Sequence, residues 1–158
     1  MKQINPLPAL DRREFALGAA AFAALAALPA VPALAQDQSK AWEALVKNIM
    51  GDAKPSDGKV IIDMAEIAEN GNTVPFTLSV DSPMTEKDHV KAIHLVSTAN
   101  PAPNVVAFRF SPANGVAKAE SRMRLIGTQD VIAIAELSDG KFLMSRRAVK
   151  VTVGGCGG

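Results

Sequence analysis

Residues 104–125 read NVVAFRFSPANGVAKAESRMRL, and their periodicity decides the fold. Val106, Phe108 and Phe110 alternate with Val105, Ala107 and Arg109, so an extended chain places the two sets on opposite faces. Ser111-Pro112-Ala113-Asn114-Gly115 supplies turn chemistry, and Ala119, Ser121, Met123 and Leu125 then alternate with Glu120, Arg122 and Arg124. Two strands joined by a turn, each with one more apolar face, belong to a sheet packed on one side.

The same punctuation recurs outward from this stretch, at Asn70-Gly71-Asn72, Ser82-Pro83, Asn100-Pro101-Ala102-Pro103-Asn104 and Asp139-Gly140. It predicts strands near 59–64, 73–80, 90–97, 104–111, 117–125, 130–138 and 141–153. Short strands of this kind make an all-β antiparallel sandwich, two sheets burying alternate side chains between them. Val131 to Ala135 is apolar on both parities, and Ile93-His94-Leu95-Val96 is nearly so, which calls for cover on both faces. The extra layer is either an N-terminal helix or a partner subunit. A helix is predicted from Ser39 to Met50, because Trp42, Leu45, Val46 and Ile49 fall at i, i+3, i+4 and i+7. Ser39 suits the N-cap and Gly51 the stop.

Composition narrows the function. The chain has 158 residues, 17 Lys+Arg against 16 Asp+Glu, 48% apolar residues and 4% aromatics. A net charge of +1 leaves no basic footprint for nucleic acid, and the apolar content fits one folded domain. One Cys cannot form an internal disulfide, nor can it build a Cys-rich zinc site with His89 and His94. The two histidines are five residues apart, which turns them to opposite sides of one strand. Met50, Met64, Met84, Met123 and Met144 are scattered as core fillers rather than clustered as copper ligands. No metal or cofactor is therefore expected, and no Gly-rich phosphate loop, haem motif or EF-hand loop is present.

Residues 1–35 read as an export signal: Arg12-Arg13, a short apolar run from Phe15 to Leu28, and Ala33-Leu34-Ala35 before the expected cleavage at Gln36. The run is too short for a membrane-spanning helix. Arg12-Arg13 followed by Phe15 and Leu17 resembles a twin-arginine signal, whose cargo crosses already folded. With no cofactor motif to explain cytoplasmic folding, a pre-assembled partner is expected. The mature chain would work in the periplasm, with a folded domain over 36–153 and a flexible carrier arm over 154–158.

That arm is Gly154-Gly155-Cys156-Gly157-Gly158. Glycines without side chains cannot hold a thiol in a shaped, preorganised site as a catalytic cysteine requires. They do let a peptide enter the narrow site of another protein. From Val153 an extended chain reaches Cys156 across roughly 10 Å. A free thiol with a pKa near 8.5 is only about 3% thiolate at pH 7, so the partner must supply the activation. Arg146, Arg147 and Lys150 form a basic group near the end of the last strand, read either as a solvated face or as a place for an anionic group on the arm.

The tail, Val74-Pro-Phe-Thr-Leu-Ser-Val-Asp-Ser-Pro-Met-Thr85, Asn100-Pro-Ala-Pro-Asn104, Ile134-Ala-Glu-Leu-Ser-Asp-Gly140 and the twin-arginine leader together resemble the SoxY family of sulfur-carrier proteins. The resemblance spans essentially the whole mature chain. It implies an immunoglobulin-like sandwich paired with SoxZ as a heterodimer, and a thiosulfate-oxidising system in which Cys156 carries the covalent sulfur intermediates. It further implies transient encounters with SoxAX, SoxB and, where present, SoxCD, and no catalysis by the carrier itself. The competing reading is a periplasmic β-sandwich chaperone or interaction subunit whose Cys156 forms an intermolecular disulfide.

Overall fold

A computed structural model of the chain describes residues 40–56, 58 and 60–155. The leader with Arg12 and Arg13, the cap at Ser39, and Cys156, Gly157 and Gly158 lie outside the described residues.

Helix α1, Ala41–Met50, carries the expected stripe. Gly51 closes it with a positive φ of 62°, and its N–H donates to the Lys47 carbonyl. At the other end the N-cap position is Lys40, which makes no side-chain capping bond. Its cohesion comes from packing: Trp42, Leu45, Val46, Ile49 and Met50 meet Val96, Ile132, Ile134 and Phe142.

Among the described residues eight strands follow: β1 Ile61–Met64, β2 Ile67–Asn70, β3 Val74–Val80, β4 Val90–Ser97, β5 Asn104–Arg109, β6 Ala117–Met123, β7 Gln129–Leu137 and β8 Phe142–Val153. They form a three-stranded sheet in the order β1-β3-β6 and a five-stranded sheet in the order β2-β8-β7-β4-β5. The core lies between them. Met64, Phe76, Leu78 and Met123 come from the smaller sheet, Ile93, Leu95, Val131 and Val149 from the larger. The rings of Phe76 and Phe108 meet at 6.3 Å and 59°. The two segments apolar on both parities, in β4 and β7, have this core on one face and α1 on the other.

The expected all-β sandwich with an N-terminal helix is thus what the chain forms. It departs from the prediction at β2, which pairs in parallel with β8 through Ile67↔Lys150 and Ala68↔Val151. The chain leaves the small sheet after Met64, adds β2 to the edge of the large one, and returns through Gly71 to β3. Four residues are too few to show a period, and a parallel partner some eighty residues later leaves no local signature.

His94 is half-buried on the α1-side face of β4. Burial lowers its pKa below the ordinary 6.5; Glu136 opposes the shift and Arg109 adds to it. Below pH 6.5 the unfolded chain therefore binds more protons than the folded one, and stability falls as the pH drops. His94→Gln should flatten that part of the pH–stability curve in urea titrations. A separate test addresses the sandwich core: Leu95→Ala, at a fully buried position, should lower the urea midpoint by the equivalent of about 3 kcal/mol with an unchanged denaturant slope.

Candidate functional site

The end of β8 is the candidate site, because it delivers the tail. On one side β8 is paired with β7 from Phe142 through Val149, and on the other with β2 from Lys150 to Val153. Thr128 adds a further tie, its Oγ1 accepting the Val151 N–H at 3.0 Å. Past Val153 the chain does not leave the body at once. Gly71 N–H donates to the Val153 carbonyl at 2.7 Å, and Gly155 N–H donates to the Leu125 carbonyl at 2.8 Å. Leu125 N–H in turn donates to the Gly71 carbonyl at 2.8 Å.

Three glycines make this crossing possible. A Cβ on Gly71 would overlap the Leu125 carbonyl oxygen and sit 2.8 Å from the Gly155 nitrogen. One on Gly154 would overlap the Ile126 carbonyl oxygen, and one on Gly155 would lie 2.7 Å from the Gly71 carbonyl oxygen. Gly155 is buried. The carrier arm expected from Gly154 onward therefore has its first two residues stitched into the domain, since here glycine serves close backbone approach rather than freedom. Gly71 belongs to the site although its place between Asn70 and Asn72 marks only a turn in the sequence.

The basic group does not assemble. Arg146 and Arg147 are consecutive on β8 and point to opposite faces. Arg146 pairs with Asp130 at 3.0 Å and lies 5.2 Å from the Trp42 ring centroid, a cation–π contact that ties α1 to the sheet. Arg147 reaches Glu66 at 3.6 Å. The nine residues from Arg146 to Gly155 put it roughly 30 Å back along an extended chain, too far to serve the tail. Lys150 is exposed and nearer, on the same face of β8 as Arg146 but four residues further along.

His89 and His94 also stay apart in role. His89 Nδ1 is 3.0 Å from the Thr85 carbonyl oxygen, while His94 lies within β4. Among the described residues, no three His, Cys, Asp or Glu side chains gather where they could hold a metal ion.

Comparison with solved structures finds the sulfur carrier protein SoxY from Chlorobium limicola f. thiosulfatophilum at 27% identity and TM-score 0.57, covering 70% of this chain and 96% of that one. Superoxide reductases share the fold at lower identity. The enzyme (neelaredoxin) from Ignicoccus hospitalis matches at 16% and TM-score 0.53, over 59% of this chain and 80% of that one. That from Nanoarchaeum equitans matches at 15% and 0.52, over 61% and 99%. No protein in the curated set matches significantly. The family pattern described as sulfur oxidation protein SoxY matches residues 46–156, which takes in the whole sandwich and reaches the tail cysteine. The chain belongs to the SoxY family of sulfur oxidation proteins.

Proposed function

We propose that this protein carries the intermediates of periplasmic thiosulfate oxidation covalently on Cys156 and presents them to partner enzymes without catalysing a step itself. The observation that carries the reading is the course of the C-terminus. The 12-residue strand β8 is followed by Gly154 and Gly155, held against the domain, and in the sequence by the glycine-flanked Cys156 at which the family match ends.

The chemistry begins with the Cys156 thiol and thiosulfate. Joining them forms Cys156-S-S-SO3⁻ and releases one proton and two electrons, which SoxAX, a haem protein, takes up. Water, with SoxB as catalyst, then cleaves the terminal S–S bond to the sulfonate group: sulfate leaves and a persulfide remains on Cys156. Where SoxCD is present it takes six electrons from that outer sulfur while three waters supply its oxygens, giving Cys156-S-SO3⁻ and protons, and SoxB hydrolyses this S–S bond to release sulfate and restore the thiol. The tether replaces diffusion with a high effective concentration at each partner, and every partner needs to recognise only one small peptide.

Two further parts belong to the reading. SoxZ is the subunit with which the chain forms a heterodimer, and residues 1–35 direct export of the folded pair by the twin-arginine route. The absence of a second cysteine in the sequence supports thiol chemistry with an external sulfur compound over an internal dithiol cycle.

Cys156→Ser should leave thermal stability and SoxZ binding unchanged while thiosulfate-dependent turnover in a reconstituted system drops to background. Turnover that persists in this variant overturns the proposal. In the unaltered protein, mass spectrometry of the C-terminal peptide after incubation with thiosulfate and SoxAX should show one added thiosulfonate group, removable by a reducing thiol.

A further inference from the structure

The loop that receives Gly155 is itself held by two buried amide side chains. Asn100 and Gln129 are only 6% and 7% exposed. Asn100 Nδ2 donates to the Arg124 carbonyl at 2.8 Å, and its Oδ1 accepts the Ile126 N–H at 3.2 Å. Gln129 Nε2 donates to that same Oδ1 at 2.9 Å and to the Gly127 carbonyl at 3.3 Å, while Gln129 Oε1 accepts the Ala99 N–H at 2.8 Å. Buried amides are costly unless bonded, and three of the pair's five bonds go to one short segment, 124–127. That segment presents the Leu125 and Ile126 carbonyls to Gly155 and Gly154.

We propose that Gly71, Gly154 and Gly155 form a backbone clamp, braced by the Asn100–Gln129 pair, that fixes the position from which Cys156 leaves the domain. These five are positioning residues: they act on the sulfur through the backbone and touch no substrate. The assignment of Cys156 as the working residue rests on the function proposed above, whereas the clamp rests on its own hydrogen bonds and contacts.

Glycine is a poor choice for ending a strand unless space demands it, because it loses the most backbone freedom on ordering. At all three clamp positions space does demand it, since backbone atoms of another segment occupy the room of a Cβ. A simple tether would need no buried residue at 155 and no buried amide pair behind its receiving loop. The consequence is a shorter leash. Counted from Gly155 rather than Val153, Cys156 is one residue out, about 3.5 Å instead of roughly 10 Å. A partner's catalytic centre must then come down on this end of the sandwich, against the Gly71–Asn72 turn and the Ile126–Thr128 segment.

The sequence offers a built-in ruler, having one Trp and one Cys. Trp42 is fixed in α1, so time-resolved energy transfer from it to an acceptor on Cys156 reports the spread of tail positions in the intact chain. A single narrow distance distribution is expected, broadening at least twofold in Gly155→Ala and in Asn100→Ala. Amide hydrogen exchange provides a reading that needs no variant: the Gly155 N–H should exchange at least 100-fold more slowly than those of Gly157 and Gly158. Equal exchange at the three glycines, or a distribution equally broad in the parent and in the variants that fold, overturns the clamp. Neither measurement depends on sulfur chemistry, so failure to load thiosulfate on Cys156 would remove the carrier reading and leave the clamp standing. If both hold, Gly155→Ala should raise the KM of the partner enzymes for the loaded carrier about tenfold with kcat within twofold, and alkylation of Cys156 by iodoacetamide should stay unchanged.

Discussion

Everything in this molecule depends on β8 being held along both edges. Antiparallel pairing with β7 fixes its first two-thirds, and parallel pairing with β2 fixes the remainder up to Val153. Had the chain continued directly from β1 to β3 within the small sheet, the end of β8 would be an open edge, with unpaired N–H and C=O groups beside the tail. The short detour through β2 closes that edge, and its return turn brings Gly71 to the end of β8. Asn72 stabilises the turn by donating its N–H to the Asn70 side chain at 2.9 Å. A feature that looks like an irregularity in the fold is what ties down the end of β8.

Most of the sandwich was legible because its strands advertise themselves by burial. Val90–Ser97 coincides with its predicted range, and the strands over 73–80, 117–125, 130–138 and 141–153 are recovered with ends moved by one or two residues. The double-sided apolar run in β7 correctly demanded a second layer, and the stripe on α1 identifies the layer: Ile132 and Ile134 face the helix while Val131, Ala133 and Ala135 face the core. What escaped was set by contacts distant in sequence. β2 owes its existence to β8. The roles of Gly71, Asn100 and Gln129 arise only when three loops meet, and a glycine used for close approach has the same letter as one used for freedom.

The basic group shows the same limit from another side. Arg146 and Arg147 look like a unit in the sequence, yet strand geometry turns them apart, and each has acquired a local partner. Trp42 and Asp130 share Arg146, so its charge contributes to seating α1 on the sheet; exposure keeps the energetic value of the ion pair within about 1 kcal/mol. Sequence proximity implied a common target that the pleat of a strand does not permit.

The shared fold of SoxY and the superoxide reductases makes clear that the sandwich by itself prescribes no chemistry. Function has to be argued from what the scaffold delivers and from where. Here strand geometry keeps Arg146 and Arg147 well back from Gly155, and both already have carboxylate partners. Under the carrier role proposed above, a thiol without neighbouring cations relies on its partner for activation. On that proposal, reactivity becomes conditional on docking. On that logic a fixed point of departure is worth as much as freedom beyond it, because an enzyme that must both activate and modify one sulfur gains from meeting it at a constant place.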